Sequence, residues 1–199
     1  MKELVRLDDV SVTFQGQNVL SGIRLCFHRG EHLRLRGGNG SGKTTLLRLI
    51  RGEINQDGGI GPSRVWSLGG ERSESPILAK KHIALVTPHT QDLYRRRGWN
   101  ITGFECVATG LRDTPLLYDE ISNEESEAVM DALRISGTEP LRDKSMLEMS
   151  RGETRKIFIA RALASRPEIL LLDELLHELD PASREQIVSI TETAAARGT

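Results

Sequence analysis

The residues best suited to chemistry form one glycine-rich stretch, Gly37-Gly38-Asn39-Gly40-Ser41-Gly42-Lys43-Thr44-Thr45. This stretch fits the pattern Gly-x-x-x-x-Gly-Lys-[Ser/Thr] of a phosphate-binding loop. Its glycines let the backbone turn so that successive N–H groups face an anion at the positive end of a following helix. Lys43 would reach the β- and γ-phosphates, and the Thr44 hydroxyl would bind Mg²⁺. The predicted nucleotide contacts here are Gly38, Asn39, Gly40, Ser41, Gly42, Lys43, Thr44 and Thr45.

A pair of carboxylates, Asp173 and Glu174, follows the apolar run Ile169–Leu172. Such a run is typical of a buried parallel strand, and open α/β sheets bind ligands at the carboxyl ends of their strands. Asp173 would therefore hold Mg²⁺, and Glu174 would polarise the water that attacks the γ-phosphate. Two acids that only cap a strand end are the alternative. With the phosphate loop, the pair predicts that Lys43 and Glu174 are catalytic residues acting on one triphosphate.

A second candidate anion site lies in the segment Met149–Lys156. Ser150 and Glu153 have the spacing of a capping box, which predicts the start of a helix whatever else the segment does. A helix N-terminus with a hydroxyl and a glycine, here Ser150 and Gly152, is also suited to bind an anion. That anion could belong to a different nucleotide from the one at the phosphate loop.

The elements that must position these residues are indicated by the hydrophobic pattern. His32–Arg36 alternates like a strand before the loop, although its basic residues are unusual for a buried parallel strand. Leu46–Ile50 continues like a helix, which Gly52 would cap. Glu71–Lys81 is polar and contains a proline, so it predicts an exposed loop, and His82–Val86 predicts a second core strand.

Phe14 ends an alternating segment that predicts one of two early strands, with a turn at Gln15–Asn18 and the other strand over Ile23–Phe27. The flat apolar face of a phenylalanine suits an adenine base, so Phe14 is a candidate nucleotide contact. An ordinary core phenylalanine is the equally strong alternative.

The stretch from Gln91 to Glu148 has helical periodicity and predicts an inserted helical subdomain. Ser122–Glu125 forms a further capping box. We expect a single domain over 1–199, with a catalytic core at 1–90 and 149–199 and the insertion at 91–148. Arg95–Arg97 is the one basic run, and it predicts either a solvated loop or a docking patch.

Length and composition limit the class of protein. The chain has 199 residues, enough for one α/β domain with a sizeable core. Its 27 basic and 28 acidic residues create no global field that favours nucleic acid or acidic lipid. No run approaches the ~18 apolar residues of a membrane span, so a membrane role would require a partner. Cys26 and Cys106 lack metal-ligand spacing and suggest free, buried thiols in a reducing cytosol.

Four ordered segments resemble the nucleotide-binding domain of ATP-binding-cassette (ABC) proteins, over nearly the whole chain. They are the phosphate loop, the helical insertion, Met149–Glu153 at the signature position, and Leu170–Glu174. The resemblance implies an α/β P-loop fold with a mainly parallel core sheet flanked by helices, an antiparallel β subdomain and an inserted helical subdomain. It also implies ATP and Mg²⁺ as cofactors, ATP hydrolysis, and a second nucleotide-binding domain as partner.

The same resemblance implies roles for individual residues. Phe14 takes the adenine-stacking position, while Ser150 and Gly152 would contact the γ-phosphate bound by the second subunit. Asp180, in His177–Asp180, falls in the loop that crosses the dimer interface. The form of Ser150–Lys156 and the entry Gly30–His32 look most like the molybdenum-transport and photorepair ATP-binding subgroup.

Departures from the family pattern bear on hydrolysis. Pro88 stands where the family usually has the glutamine that serves Mg²⁺ and the attacking water, and His89 and Gln91 are displaced candidates. Three further departures are Arg151 for glycine, Glu153 for glutamine and Leu175 for proline. The family's switch histidine would follow Thr199, so we expect its segment to be missing. ATP binding is therefore better supported than fast hydrolysis.

The leading hypothesis is an ATP-hydrolysing motor domain that dimerises over two ATP·Mg²⁺. As a transporter subunit, it would be cytoplasmic, held at the inner face of the plasma membrane by a permease that docks on the region His89–Gly110. A soluble ATPase acting on nucleic acid or another macromolecule is the alternative, and Arg95–Arg97 is its only support. A nucleotide-binding module with little turnover is the third. A phosphate-loop kinase or GTPase is disfavoured, because neither class explains Met149–Glu153.

Overall fold

The structure is a computed structural model that describes residues 2–58, 63–175 and 180–198. The chain divides into two compact units, Met1–Leu85 and Val86–Thr199, each of which has its own buried residues. Within the described ranges, none of the helices has both the length and the hydropathy of a membrane span.

The first unit contains an antiparallel sheet with the strand order β2-β1-β3-β4. Its strands are β1 (Glu3–Phe14), β2 (Gln17–His28), β3 (Arg64–Leu68) and β4 (Glu71–Ser73). The first two form a hairpin in which Phe14 pairs with Gln17. The two residues between them, Gln15 and Gly16, have φ angles of 48° and 79°. Two successive positive φ angles are typical of the tight turns that suit the twist of a hairpin. The predicted early strands are confirmed, and the turn is shorter than predicted because Gln17 and Asn18 belong to β2.

Two helices complete the first unit, α1 (Lys43–Arg51) and α2 (Pro76–His82). Gly52 ends α1 in the left-handed conformation, and its N–H donates to Arg48 and Leu49 carbonyls, as predicted from sequence. Two side chains of β3 also bind the last turn of α1: Arg64 Nη1 donates to Leu49 O at 2.9 Å, and Trp66 Nε1 to Ile50 O at 2.8 Å. The helix that follows the phosphate loop is thereby fixed to the sheet at its far end.

Strand β5 (Ile83–Val86) leads into the second unit, which is mainly helical. Its helices are α3 (Pro88–Arg97), α4 (Gly103–Ala108), α5 (Asn123–Ile135), α6 (Arg151–Ala164) and α7 (Pro181–Ala196), and its strand is β6 (Ile169–Leu172). Short 3₁₀ turns lie at Thr109–Leu111, Glu139–Leu141 and Met146–Glu148. Helix α6 is the centre of this unit, because every residue from Ile157 to Ala164 is buried and α3, α4, α5 and α7 all pack against it.

A buried polar network joins three of these elements. Arg161 on α6 donates from Nε to Thr109 Oγ1 at 2.8 Å, and Tyr94 on α3 lies 3.2 Å from the same hydroxyl. Tyr94 also packs edge-on against Phe158, with ring centroids 5.1 Å apart. A Cβ at Gly110 would lie 1.9 Å from Arg161 O, so the backbone of this turn and that of α6 meet at a distance that only glycine allows.

Three sequence expectations are wrong. Residues 32–36 are not a strand, and Leu33 and Leu35 are exposed. A buried strand here would have left its alternating basic side chains without partners for their charges. The predicted loop Glu71–Lys81 instead holds β4 and α2, because the Ser75 hydroxyl accepts the Ile77 N–H and Pro76 occupies the first helical position. Cys26 is exposed, whereas Cys106 is buried as expected.

Candidate nucleotide-binding site

The phosphate loop leads directly into α1, whose first residue is Lys43. Lys43 Nζ donates to the carbonyls of Gly37 at 3.0 Å and Gly38 at 2.8 Å, so the loop curls around its own ammonium group. An ammonium has three donors, and these bonds use two of them. The lysine is therefore already held within the loop, where it can add a phosphate oxygen to its partners.

Two glycines of the loop adopt backbone conformations that side chains rarely allow. Gly40 and Gly42 have φ angles of 76° and 85°. At Gly42 an added Cβ would also lie 2.8 Å from Leu20 Cδ2 and 3.0 Å from Val19 O. At Gly37 a Cβ would lie 2.5 Å from Ser41 Oγ. The backbone conformation of the loop thus requires glycine at Gly40 and Gly42, whereas the contact at Gly37 is with a serine hydroxyl that can rotate.

The N-terminus of α1 is suited to an anion. Within α1, all of which the structure describes, the first turn contains no acid and the preceding Gly42 offers no side-chain cap. The first N–H groups of a helix and its dipole attract negative charge. The loop residues Asn39 and Ser41 and the first-turn residue Thr44 are exposed, and Thr45 is half-buried. The predicted phosphate contacts therefore lie together at one exposed end of α1.

Phe14 is the last residue of β1 and is 47% exposed. A core phenylalanine would be almost completely covered, so this alternative is excluded by the exposure of the side chain. An exposed aromatic face on the first unit remains a candidate platform for a base.

In the second unit, the predicted carboxylates follow β6. Asp173 is 5% exposed, and its N–H donates to Val86 O at 2.9 Å. Glu174 is exposed and has a φ of 48°, which is uncommon for a residue other than glycine, asparagine or aspartate. Such strained residues cluster at functional sites. The Leu175 carbonyl accepts Arg155 Nη1 at 3.0 Å, which ties the segment after Glu174 to α6.

The predicted signature segment forms the capping box expected from its sequence. Glu153 N donates to Ser150 Oγ at 3.2 Å, and Ser150 N donates to Glu153 Oε2 at 2.7 Å. In this arrangement the serine oxygen is an acceptor, so its own O–H is still able to donate to a ligand. The backbone hydrogen bond from Ser150, followed by the bond from Lys144, lowers the pKa of the Glu153 carboxyl.

Gly152 lies in the first turn of α6, and a Cβ there would be 3.2 Å from Ser183 Oγ. Ser183 itself donates to the Asp180 carboxylate, from N at 2.9 Å and from Oγ at 2.6 Å. These bonds cap α7 and lower the pKa of Asp180. The interface loop predicted at His177–Asp180 is described only from Asp180, since residues 176–179 lie outside the described ranges.

The position of the missing family glutamine lies at the start of α3. Thr87 caps this helix and Pro88 is its first residue, so Pro88 contributes ring packing and no polar side chain. His89 is exposed. Gln91 lines a cavity of about 270 Å³ between α3 and the N-terminal part of α6. Of the two candidates for the role of the family glutamine, Gln91 thus lines this cavity and His89 does not.

The side chains predicted to bind Mg²⁺ supply oxygen ligands. No group of three or more His, Cys, Asp or Glu side chains that could hold a metal ion occurs among the residues the structure describes. Mg²⁺ usually takes one or two protein oxygens and completes its shell with phosphate oxygens and water. The Thr44 hydroxyl in the first unit and the Asp173 carboxylate in the second are each an oxygen ligand of the kind that Mg²⁺ takes.

Several side chains that organise the site were not found from sequence. Lys144 contacts Glu153, nine residues away, and Arg155 contacts the Leu175 carbonyl, 20 residues away. No helix-start or turn pattern in the sequence predicts these partners. Ser183 could have been found, because Asp180-Pro181 followed by a polar residue at the third helical position is a recognisable helix start.

Comparison with curated proteins finds many relatives of moderate identity. The chain is 34% identical over 179 residues to an uncharacterized ABC transporter ATP-binding protein of Methanocaldococcus jannaschii, covering 89% of this chain and 58% of that protein. It is 32% identical over 192 residues to the spermidine/putrescine import ATP-binding protein PotA of Photobacterium profundum, covering 94% and 46%. The sulfate/thiosulfate import ATP-binding protein CysA of Nitrosomonas europaea is 34% identical over 183 residues, covering 92% and 48%. The chain thus spans about half the length of these relatives.

Solved structures agree on the fold. The cbiO1 protein from Clostridium perfringens, part of the ABC transporter complex cbiONQ, matches with a TM-score of 0.80 at 22% identity, over 100% of this chain and 76% of that chain. A nucleotide-free ATP-binding cassette from an ABC transporter matches with a TM-score of 0.80 at 21% identity, over 98% and 78%. The predicted fold class is confirmed. A family model described as ABC transporter matches residues 20–177. The chain therefore belongs to the ABC transporter family, in which binding and hydrolysis of ATP is the general activity of the cassette domains.

Proposed function

We propose that this chain binds ATP with Mg²⁺ and hydrolyses it as the motor domain of a membrane transporter. The observation that carries the proposal is the first turn of α1, where Lys43 is held within a glycine loop at a helix end without an acidic residue. An uncapped helix end beside a fixed ammonium is a strong site for a polyphosphate. The order of the other motifs along the chain supports ATP as the particular ligand.

Each predicted residue has a role in this proposal. Thr44 and Asp173 bind Mg²⁺, Lys43 binds the β- and γ-phosphates, and Glu174 polarises the attacking water. Phe14 stacks on the adenine ring. Glu174 supports its role because a positive φ is conformationally costly and is commonly kept at functional sites. Phe14 supports its role because a large apolar side chain that is exposed to solvent often marks a binding surface.

The proposed working form is a dimer with a second nucleotide-binding domain. Ser150 and Gly152 of one subunit would contact the γ-phosphate held by the other, so closure depends on ATP and hydrolysis reopens the dimer. The Ser150 geometry supports this role, since its oxygen accepts within the capping box and its O–H remains able to donate outward.

The dimer is tested with Glu174→Gln, which should bind ATP but hydrolyse it slowly and so accumulate the closed state. We expect this variant to change from monomer to dimer as ATP is raised, measured by light scattering during size-exclusion chromatography. Lys43→Ala in the same background should stay monomeric. If Glu174→Gln is monomeric at saturating ATP, the proposed dimer mechanism is wrong.

The transport role is supported by the names of two relatives and by a groove on the second unit. PotA and CysA are named as import ATP-binding proteins. This groove is the cavity between α3 and α6, which is lined by Met146 and Met149 together with Arg95, Arg151 and Arg155. Among its described lining residues, Asp92 is the one acid. Apolar side chains with an excess of positive charge suit an amphipathic, acidic helix. We therefore propose that a cytoplasmic helix of a permease subunit occupies this groove and keeps the chain at the inner face of the membrane.

The basic run on α3 provides a matched test of this partner. Arg95 lines the groove, whereas Arg97, two residues further along the same exposed run, does not. Arg95→Glu should abolish co-purification with membranes and leave basal ATP hydrolysis unchanged, while Arg97→Glu should retain both. Equal loss with the two variants would contradict docking in the groove.

A soluble ATPase that acts on nucleic acid is the second candidate, and the exposure of Arg95, Arg96 and Arg97 favours it. In that case each charge reversal should weaken DNA or RNA binding in a salt-dependent way. The narrower assignment to the molybdenum-transport and photorepair subgroup is supported by Ser150–Lys156 and Gly30–His32. PotA and CysA are instead named for the import of spermidine/putrescine and of sulfate/thiosulfate.

A further inference from the structure

The carboxylate of Glu153 is bound from two directions at the start of α6. Lys144 Nζ lies 3.0 Å from each of its oxygens, and Ser150 N donates to Oε2 at 2.7 Å. The two side chains of the ion pair are 34% and 26% exposed, so the pair is only partly open to solvent. Glu153 is the residue that stands for the glutamine expected at this position of the family pattern.

An ionised carboxylate here has opposite effects on the helix and on a ligand. Negative charge near a helix N-terminus stabilises the helix, and the capping box fixes Ser150. The same charge, which is hydrogen-bonded to Ser150 N, repels an anion that approaches that N-terminus. The hydrogen bond from Ser150 and the ion pair with Lys144 both lower the Glu153 pKa, so the carboxyl is charged at neutral pH.

We infer that Lys144 is a positioning residue that makes the capping box of α6 compatible with phosphate. It fixes the Glu153 carboxylate in the capping geometry and neutralises its charge, so that Ser150 meets an incoming γ-phosphate at a helix end of no net negative charge. The inference rests on the proposed function of Ser150, which it deepens by naming the residue that supports it. Lys144 acts through Glu153 and does not itself contact the nucleotide.

A second capping box in the chain supplies the matched control. On α5, Glu125 caps Ser122 in the same way, and its carboxylate pairs with Arg112 at 2.9 Å. The hydrogen bond from Ser122, followed by the pair with Arg112, lowers the Glu125 pKa as well. The two sites share their local chemistry, but only the site on α6 carries a proposed ligand. Loss of Arg112 therefore reports the purely structural effect of unpairing a capping glutamate.

The test is a double-mutant cycle read by ATP-dependent dimerisation in the Glu174→Gln background. Lys144→Met should raise the ATP concentration for half-maximal dimerisation by roughly five- to tenfold, because it leaves one unpaired charge beside the phosphate site. Lys144→Met in a Glu153→Gln chain should change this concentration less than twofold relative to Glu153→Gln alone. Arg112→Met should leave it unchanged. Lys144→Arg, which keeps the charge, should behave as the parent, and it serves if Lys144→Met does not fold.

The outcomes separate this inference from the proposed function. If the parent of this series, Glu174→Gln, does not dimerise with ATP, the proposed dimer mechanism is wrong whatever the role of Lys144. If the parent dimerises and Lys144→Met has the same effect with glutamate and with glutamine at position 153, Lys144 does not act through the carboxylate and the inference is wrong. An unaltered Lys144→Met chain would overturn it as well.

Discussion

At the scale of single residues, the backbone conformation of the loop glycines is what most constrains the sequence. Gly42 combines a φ of 85° with a Cβ position already filled by Leu20 and the Val19 carbonyl. Gly38, four residues earlier, has open space at its Cβ position. The two glycines therefore belong to the same motif for different reasons, the first because the fold requires it and the second because a ligand would approach its backbone.

We predict that Gly42→Ala destabilises the nucleotide-free protein by roughly 3 kcal/mol, since it adds a left-handed conformation and a steric overlap. Gly38→Ala should leave the melting temperature unchanged. Thermal unfolding followed by circular dichroism compares the two variants. Equal melting temperatures for Gly42→Ala and the parent would contradict the loop geometry described for the first unit.

The two cysteines are predicted to differ in reactivity. Cys106 is fully buried, and burial raises the pKa of its thiol to about 12. Cys26 is exposed, although burial of the sulfur and its bond to Glu3 also raise its pKa. Because the thiolate is the reactive form, one thiol per chain should react with a thiol reagent at pH 8, and both should react in denaturant. Cys26→Ser should remove the fast reaction; two fast thiols in the folded parent would contradict the packing of α4.

At the scale of elements, the two helix starts predicted from capping boxes are confirmed. The boxes at Ser122–Glu125 and Ser150–Glu153 both form, because each depends on residues three apart. The start of α2 was missed although Ser75-Pro76 carries the same kind of local signal. Residues 32–36 were wrongly predicted as a strand, since alternation alone does not show what could cover their arginines. Contacts such as Arg64 to Leu49 O join residues 15 apart, and no local pattern encodes them.

The capped helix starts predict how stability depends on pH. Hydrogen bonds at Ser122, Ser150 and Ser183 lower the pKa values of Glu125, Glu153 and Asp180. A lowered pKa means that the unfolded chain binds protons first, so their contribution is present above the ordinary values of 4.5 for Glu and 3.8 for Asp and is lost as pH falls through the folded values.

We expect the urea concentration at the unfolding midpoint to decrease as the pH is lowered from 6 to 3.5. The decrease should be smaller in Glu125→Gln. Glu192→Gln, which removes a charge from an exposed position of α7, is the matched control. A decline in Glu125→Gln that is as steep as in the control, or steeper, would contradict the assignment of this carboxylate as a stabilising cap.

At the scale of the whole molecule, the family was easier to predict than the side-chain contacts within the fold. The phosphate loop, the signature serine and the paired carboxylates are short patterns whose order along the chain indicates an ABC cassette. The family model over residues 20–177 and the TM-scores of 0.80 bear out that interpretation. These patterns do not predict the side chains that contact the residues at which this chain differs from the family pattern. Lys144 is the main example, because it pairs with Glu153 from nine residues earlier in the chain, outside the helix that Glu153 caps.

The most direct test of the account measures how fast bound ATP is cleaved in the parent and in Glu174→Gln. Both proteins are saturated with radiolabelled ATP and Mg²⁺, and bound ATP and bound ADP are quantified over time after a single mixing step. Removal of a general base typically slows such a step by about 10²–10⁴-fold. We predict that Glu174→Gln binds ATP and cleaves it slower by that factor, whereas Glu185→Gln, on the exposed side of α7, cleaves it at the parental rate. Cleavage by Glu174→Gln at the parental rate would contradict the proposal that Glu174 polarises the attacking water.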